Sequence, residues 1–256
     1  MTQDINNSLS EKAGRKSLLI GLLDSGVSPQ LMTRVVDARA FVKGEGGAVV
    51  VEQAQPDLLG HGSTLARIIT ARVPEARFLV AQIFVYQLSA SANQAAAGLD
   101  WLVAQGAQIV NMSFGLRADR QPLAQACERA LAAGVLLVAA APAVGAAVYP
   151  SGYPGVIRVT GDVRCGTDQF SELVSSQADY GACARVTGSP VAGASVATAY
   201  LSAQLGRYYS RESAEDQGLR TWLAERASYR GIAQHFALIP PERRLTWSAV
   251  GSASLL

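Results

Sequence analysis

Three residue types that together can open a carbonyl by nucleophilic attack stand in three separate short segments of this chain. Asp24 closes the apolar run Leu18-Leu19-Ile20-Gly21-Leu22-Leu23, His61 lies in Gly60-His61-Gly62-Ser63-Thr64, and Ser195 lies in Gly193-Ala194-Ser195-Val196-Ala197. Acyl transfer needs a hydroxyl, a base to take its proton, and a carboxylate to orient that base. The order Asp, His, Ser along the chain is one of three unrelated orders in which this constellation occurs. Each segment alone has a plainer reading. Asp24-Ser25-Gly26 makes an ordinary turn after a strand, a glycine-flanked His61 makes an ordinary cap or core histidine, and Gly-Ala-Ser says almost nothing. Their joint occurrence at the ends of elements gives them weight.

The elements that must position them are legible as periodicity. Apolar runs of strand length occur at Leu18–Leu23, Phe78–Val85, Gln108–Ser113, Val135–Ala141 and Val156–Thr160. Helical spacing lies between them: Leu65, Ile68, Ile69 and Arg72 after His61; Leu99, Leu102 and Val103; and Leu123, Cys127, Ala130 and Leu131. Continuous apolar strands alternating with helices predict a doubly wound α/β domain, a mainly parallel sheet with helices on both faces. In such sheets the site lies beyond the carboxyl ends of the strands. That edge collects Asp24, Asn111-Met112-Ser113 and the residues after Ala141. Ser195 opens a further helix through Val196, Ala199 and Tyr200 to Leu205, whose first N–H groups and positive dipole end would favour an oxyanion. Beyond Gly206, a helix is expected around Leu219–Arg226, then a break at Pro240-Pro241 and a tail with Leu245, Trp247 and Val250.

Composition narrows the class. The 256 residues are 49% hydrophobic and 16% charged, enough for a large core, and no linker-like stretch divides residues 1–256 into more than one domain. The polar residues 1–16 are expected to be a flexible N-terminus. A net charge of +2 with dispersed basic residues argues against a nucleic-acid partner. Neither a secretory signal nor a run long enough to cross a membrane is evident. Cys127, Cys165 and Cys183, odd in number and widely spaced, are expected to be reduced thiols of a cytoplasmic protein. The two histidines, His61 and His235, are too few for a His/Cys metal cluster, and neither a metal nor a cofactor is expected.

Over roughly residues 17–205 the chain resembles the subtilisin-like serine proteases, the subtilases. Leu22-Leu23-Asp24-Ser25-Gly26 resembles the family's aspartate motif, and Gly60-His61-Gly62-Ser63 its histidine motif, where Ser63 replaces the usual Thr. Ile109-Val110-Asn111-Met112-Ser113-Phe114-Gly115 is similar to the segment that pairs with substrate and forms one wall of the primary specificity pocket. Tyr149-Pro150-Ser151-Gly152-Tyr153-Pro154-Gly155-Val156-Ile157 is similar to the opposite wall. The resemblance implies a cis peptide at Tyr149-Pro150, peptide-bond hydrolysis by Asp24, His61 and Ser195, and substrate contacts from Ser113, Phe114, Gly115, Ala140, Ala141 and Ser151. The small residues Ala140, Ala141 and Ser151 suggest a mainly apolar pocket, or equally ordinary core packing. Asn111 reads as a structural hydrogen-bonder beneath the site.

Two departures matter. The family's Gly-Thr-Ser-Met-Ala is Gly193-Ala194-Ser195-Val196-Ala197 here, and Pro142-Ala143 stand where subtilases carry Gly-Asn. That Asn donates to the oxyanion, and its loss costs about 10²–10³ in rate. With Ala143 at this position, the oxyanion donors left are the Ser195 backbone N–H and any further group that the sequence does not identify. Two readings follow: a slow enzyme acting on one designated bond, or a catalytically dead peptide-binding module. The retained base beside the serine favours the enzyme. A nucleotide-binding α/β protein is a weaker reading, because no glycine-rich phosphate loop follows the first strand. With little chain before Leu18 to serve as an inhibitory propeptide, narrow specificity toward a dedicated peptide or protein precursor is expected. The chain resembles, most narrowly, the small intracellular leader-trimming subtilases associated with quinohemoprotein amine dehydrogenase maturation.

Overall fold

The computed structural model describes residues 18–210 and 218–231. The expectations for residues 1–16, His235, Pro240-Pro241, Leu245, Trp247 and Val250 lie outside them. Ten strands form one sheet: β1 (Leu19–Asp24), β2 (Val35–Lys43), β3 (Val49–Gln53), β4 (Arg77–Gln82), β5 (Ile109–Met112), β6 (Leu136–Ala140), β7 (Ile157–Gly161), β8 (Phe170–Glu172), β9 (Tyr180–Ala182) and β10 (Tyr229–Arg230). Their order across the sheet is β10-β8-β9-β7-β6-β5-β1-β4-β2-β3. Pairing is parallel throughout except for β2 with β3 and β8 with β9.

Among the described residues five α-helices accompany them: α1 (His61–Thr70), α2 (Ala92–Ala104), α3 (Gln121–Ala132), α4 (Ala194–Tyr209) and α5 (Leu219–Arg226). The alternation of side chains along β1 divides the core. Ile20 and Leu22 join α1 and α4 through Leu65, Ile69, Val196 and Leu201. Leu23 joins α2 and α3 through Leu99, Leu102, Leu123 and Cys127 on the opposite face. Gly21 is needed on that second face, because a β-carbon there would lie 3.0 Å from both Leu102 Cδ1 and Val110 Cγ2. The doubly wound α/β reading is therefore met, with apolar layers above and below the central strands.

β1 lies between β4 and β5, with which it pairs in parallel. The chain runs out to β4 on one side and returns to β5 on the other, so the strand order reverses beside β1. A crevice opens at such a switch point, and Asp24 is the residue that ends β1.

Several boundaries differ from expectation. The run Phe78–Val85 leaves the sheet after Gln82, since the Ile83 and Phe84 N–H groups turn to the Asp24 carbonyl at 2.9 and 3.4 Å. Arg72 falls beyond α1, and its guanidinium lies 4.4 Å above the Tyr200 ring. The hairpin β2–β3 and the short strands β8, β9 and β10 carry no clean periodicity. β3 and β10 are the two edges of the sheet, β2 lies next to the edge and is half-exposed, and β8 and β9 are only three residues long, too short to show a period. α4 runs through the middle of its layer: every residue from Val196 to Gly206 is buried, as a helix surrounded on all sides must be.

Candidate active site

β1 delivers Asp24 to the edge of the sheet with its side chain fully buried. The Ser25 N–H donates to Asp24 Oδ1 at 2.7 Å, and His61 Nδ1 donates to the same oxygen at 2.7 Å. Asp24 Oδ2 is buried without a hydrogen-bond donor among the described residues. A buried carboxylate needs compensation, and the imidazole is the group that can supply positive charge. The Asp24–His61 pair therefore fixes one tautomer, with the proton on Nδ1 and Nε2 left as the basic nitrogen.

The start of α1 holds the imidazole in place. A helix leaves its first N–H groups unpaired, and here they are met by groups from two other segments. The Gly62 N–H donates to Ser25 Oγ at 2.9 Å, and the Ser63 N–H donates to Asp57 Oδ2 at 2.8 Å. Asp57 also accepts from the Ser63 hydroxyl and from the Leu59 and Gly60 N–H groups. Gly62 sits tight against the turn after β1, where a β-carbon would collide with the Gly26 carbonyl oxygen. Gly60 takes a φ of 71° and Gly26 a φ of 100°, conformations that only glycine adopts cheaply. Gln82, paired in register with Asp24, ties the same turn down through Nε2 to the Ser25 carbonyl at 2.8 Å. It also bonds both main-chain groups of Gln55. Asp57, Ser25 and Gln82 were not identified from sequence. No local pattern marks them, since the N-cap of α1 is Gly60, which carries no capping side chain, and Asp57 lies three residues before it.

Burial pushes the His61 pKa down. The attraction of Asp24, the hydrogen bond to it, and the nearby charge of Asp57 outweigh that penalty, and the net shift is upward from 6.5. Only the neutral imidazole can accept a proton, so activity should rise with pH through a value above that of an ordinary histidine. Asp57→Asn removes one of the raising charges. We expect the acid limb of log kcat/KM against pH to move to lower pH in that variant, by a fraction of a unit. An unmoved limb would show that Asp57 acts only through the helix start.

Ser195 lies one residue inside α4, after Gly193 at a φ of 86°. Its hydroxyl donates to the Ser113 carbonyl at 3.0 Å and not to His61. A turn about χ1 between staggered wells would release it without moving the backbone. A second chain of bonds fixes the floor beneath. Ser202 Oγ donates to Asn111 Oδ1 at 3.0 Å, Asn111 Nδ2 donates to Ser113 Oγ at 2.9 Å, and Ser113 Oγ donates to the Ser195 carbonyl at 3.1 Å. Asn111 is fully buried and knits α4 to β5, the structural part expected of it.

The remaining residues named from sequence are distributed as follows. Phe114 points its ring into the core against Phe84, 5.9 Å away and edge-on, so its main chain is what a substrate could meet. Gly115 is half-buried beside it. Ala140 is buried at the end of β6, and Ala141 packs with Leu173 and Ala178. The Ser151 hydroxyl is spent on the Val148 carbonyl at 2.9 Å. Ala143 is exposed in the loop after β6, and its methyl group can donate nothing to an oxyanion. The Tyr149-Pro150 bond is cis. A cavity of about 770 Å³ lies elsewhere, lined by Val27, Met32, Val36, Val51 and Pro56 among others; Asp24, His61 and Ser195 do not line it.

Residues 15–191 match the Subtilase family, a span that ends just short of Ser195. The minor extracellular protease Epr of Bacillus subtilis (strain 168) is 29% identical over 214 residues, covering 79% of this chain and 30% of that protein. The chain thus spans about a third of that relative's length. Among solved structures, a lanthipeptide protease superposes with a TM-score of 0.61 at 16% identity, covering 84% of this chain and 80% of that one. The prenylagaramide maturation protease PagA superposes with a TM-score of 0.51 at 17% identity, covering 77% of each chain. At these identities the structural likeness speaks to the fold.

Proposed function

The chain belongs to the subtilase family, and on that premise we propose that it is a serine endopeptidase working through Asp24, His61 and Ser195. The observation that carries the reading is the 2.7 Å bond from His61 Nδ1 to buried Asp24. It leaves Nε2 free as a base on the same sheet edge as a helix-opening serine. In the proposed cycle, Nε2 takes the Ser195 proton as Oγ attacks the scissile carbonyl. The imidazolium, stabilised by Asp24, returns that proton to the leaving amine. Water then repeats the sequence on the acyl-enzyme. The Ser195 N–H at the start of α4 donates to the oxyanion. Ser113, Phe114 and Gly115 align the substrate as an added strand.

The substrate we propose is narrow: a leader or propeptide removed from a dedicated protein or peptide precursor. A site lacking the Asn donor is slow, and a slow site suffices where one bond must be cut once. Our narrower form is a leader-trimming subtilase of the kind associated with quinohemoprotein amine dehydrogenase maturation. A cytoplasmic location accords with three unpaired cysteines, Cys127, Cys165 and Cys183. Among the described residues no helix is long and apolar enough to cross a membrane.

A second reading, a peptide-binding module without turnover, is favoured by one observation: the Ser195 hydroxyl is bonded to Ser113 rather than to the base. A fluorophosphonate probe followed by peptide mass mapping separates the two. The enzyme reading expects modification of Ser195 that disappears in His61→Ala. An unmodified Ser195 in protein that still binds peptide would establish the binding module.

A further inference from the structure

The last residue of β4 is a buried amide set between the two segments that carry the acid and the base. Gln82 is fully buried and lies in register with Asp24 across the β1–β4 ladder. Its Nε2 donates to the Ser25 carbonyl at 2.8 Å and to the Gln55 carbonyl at 3.1 Å, while Oε1 accepts from the Gln55 N–H at 2.8 Å. A carboxamide has two N–H donors and a carbonyl acceptor, and here all of them are engaged by main-chain groups. Gln55 lies past the end of β3. The amide meets its N–H and its carbonyl together, as the peptide group of a neighbouring strand would.

The segments so joined are the ones whose spacing governs proton transfer. Ser25 follows Asp24, and its N–H holds Asp24 Oδ1. Gln55 leads through Pro56 into Asp57, which gathers the Leu59, Gly60 and Ser63 N–H groups around the start of α1, where His61 stands. From a third strand, the amide therefore bridges the carboxylate's turn to the imidazole's anchor. There is no slack on the turn side, because a β-carbon on Gly26 would lie 2.8 Å from Gln82 Nε2. β4 is gripped at the same level, where the Ile83 and Phe84 N–H groups donate to the Asp24 carbonyl at 2.9 and 3.4 Å. An apolar side chain of equal length would fill the same space. It would leave the turn and the anchor untied, since dispersion has none of the directionality of a hydrogen bond.

We infer that Gln82 is a positioning residue for proton transfer, whose carboxamide fixes the separation of Asp24 and His61. The kinetic part of this inference rests on the peptidase reading above. The His61 Nδ1–Asp24 Oδ1 distance is 2.7 Å, the short end of the range for a charge-assisted bond, so a small drift of either partner weakens it. A misplacement of about 1 Å caused far from the chemistry can cost about 10²-fold in rate. The hydrogen bonds of the amide go to Ser25 and Gln55, and not to the Ser113–Gly115 segment proposed to align the substrate. Its loss should therefore appear in turnover and not in substrate affinity. Glutamate has the same shape but, when ionised, only accepts. It would face two carbonyls with no donor and set a second carboxylate beside Asp24.

The test compares the wild type with Gln82→Met, which keeps the length without the amide, and Gln82→Asn, which keeps the amide but draws it back by one methylene. Two readouts are taken: kcat and KM per folded protein, and the NMR signals of the His61 ring, assigned by their loss in His61→Ala. Both variants should lower kcat by about 10–100-fold while KM stays within about twofold. The Nδ1–H resonance should move in both. The charged groups facing His61 are Asp24 at the end of β1 and Asp57 before α1. Loosening the bond to Asp24 weakens what holds the proton on the ring, so the imidazole should titrate at lower pH than in the wild type. A lower Tm with kcat, the Nδ1 proton and the titration all unchanged would make Gln82 a merely stabilising residue and overturn the inference. A loss confined to KM would overturn it too. A wild type that cleaves no peptide, with variants that still shift the His61 signals, ends the peptidase reading and keeps the positioning role. Cleavage by the wild type, with His61 signals unmoved in the variants, does the reverse. If one variant fails to fold, the other carries the test.

Discussion

Ser195→Ala and His61→Ala should each lower kcat on the cognate peptide by about 10⁴–10⁶, and the double variant should be no worse than either alone. The reason is that the hydroxyl and the imidazole act as a unit. Without the base the serine is a poor nucleophile, and without the serine the base has nothing to activate, so their losses do not add. What survives comes from binding and from the N–H groups at the start of α4. Asp24→Asn should cost about 10⁴, because its carboxamide would present an N–H to Nδ1 and favour the wrong tautomer. Single-turnover measurement on a peptide amide checks all of these. A Ser195→Ala variant retaining a tenth of wild-type turnover would show that the nucleophile is elsewhere.

Installing the missing donor should do the opposite. Ala143→Asn, or Pro142→Gly with Ala143→Asn to free the loop, should raise kcat by up to about 10²–10³ with little change in KM. The carboxamide would meet a charge that exists only in the transition state. Ala143 is exposed and Val144 beside it is 81% exposed, so the loop has room for a longer side chain without disturbing the core. The gain must vanish in a Ser195→Ala background. Unchanged kcat in a folded double variant would mean that another group already occupies the donor's place.

Part of the fold is legible in the order of residues alone. β6 and β1 up to its terminal Asp24 read from unbroken apolar runs, because a strand buried on both faces has few polar positions to interrupt it, and β5 and β7 read from apolar runs broken only by Asn111 and by Arg158 and Thr160. The edge strand β3 is not legible, since its Val50 and Val51 are 42% and 54% exposed and alternate with nothing. Likewise Asp57 and Gln82 have no periodic signature. Their importance lies in which N–H groups they meet, and those belong to segments 6 and 27 residues away.

By itself the order of residues determined the α/β class, the sheet edge that gathers the chemistry, and the identities of Asp24, His61 and Ser195 as candidates, because each of these follows from local pattern and chain order. Only the tertiary structure decided that His61 bonds Asp24 through Nδ1 and that Ser195 turns its hydroxyl to Ser113. Such facts depend on distances between groups 37 and 82 residues apart in the chain. Packing sets those distances, and no local preference of the chain encodes them.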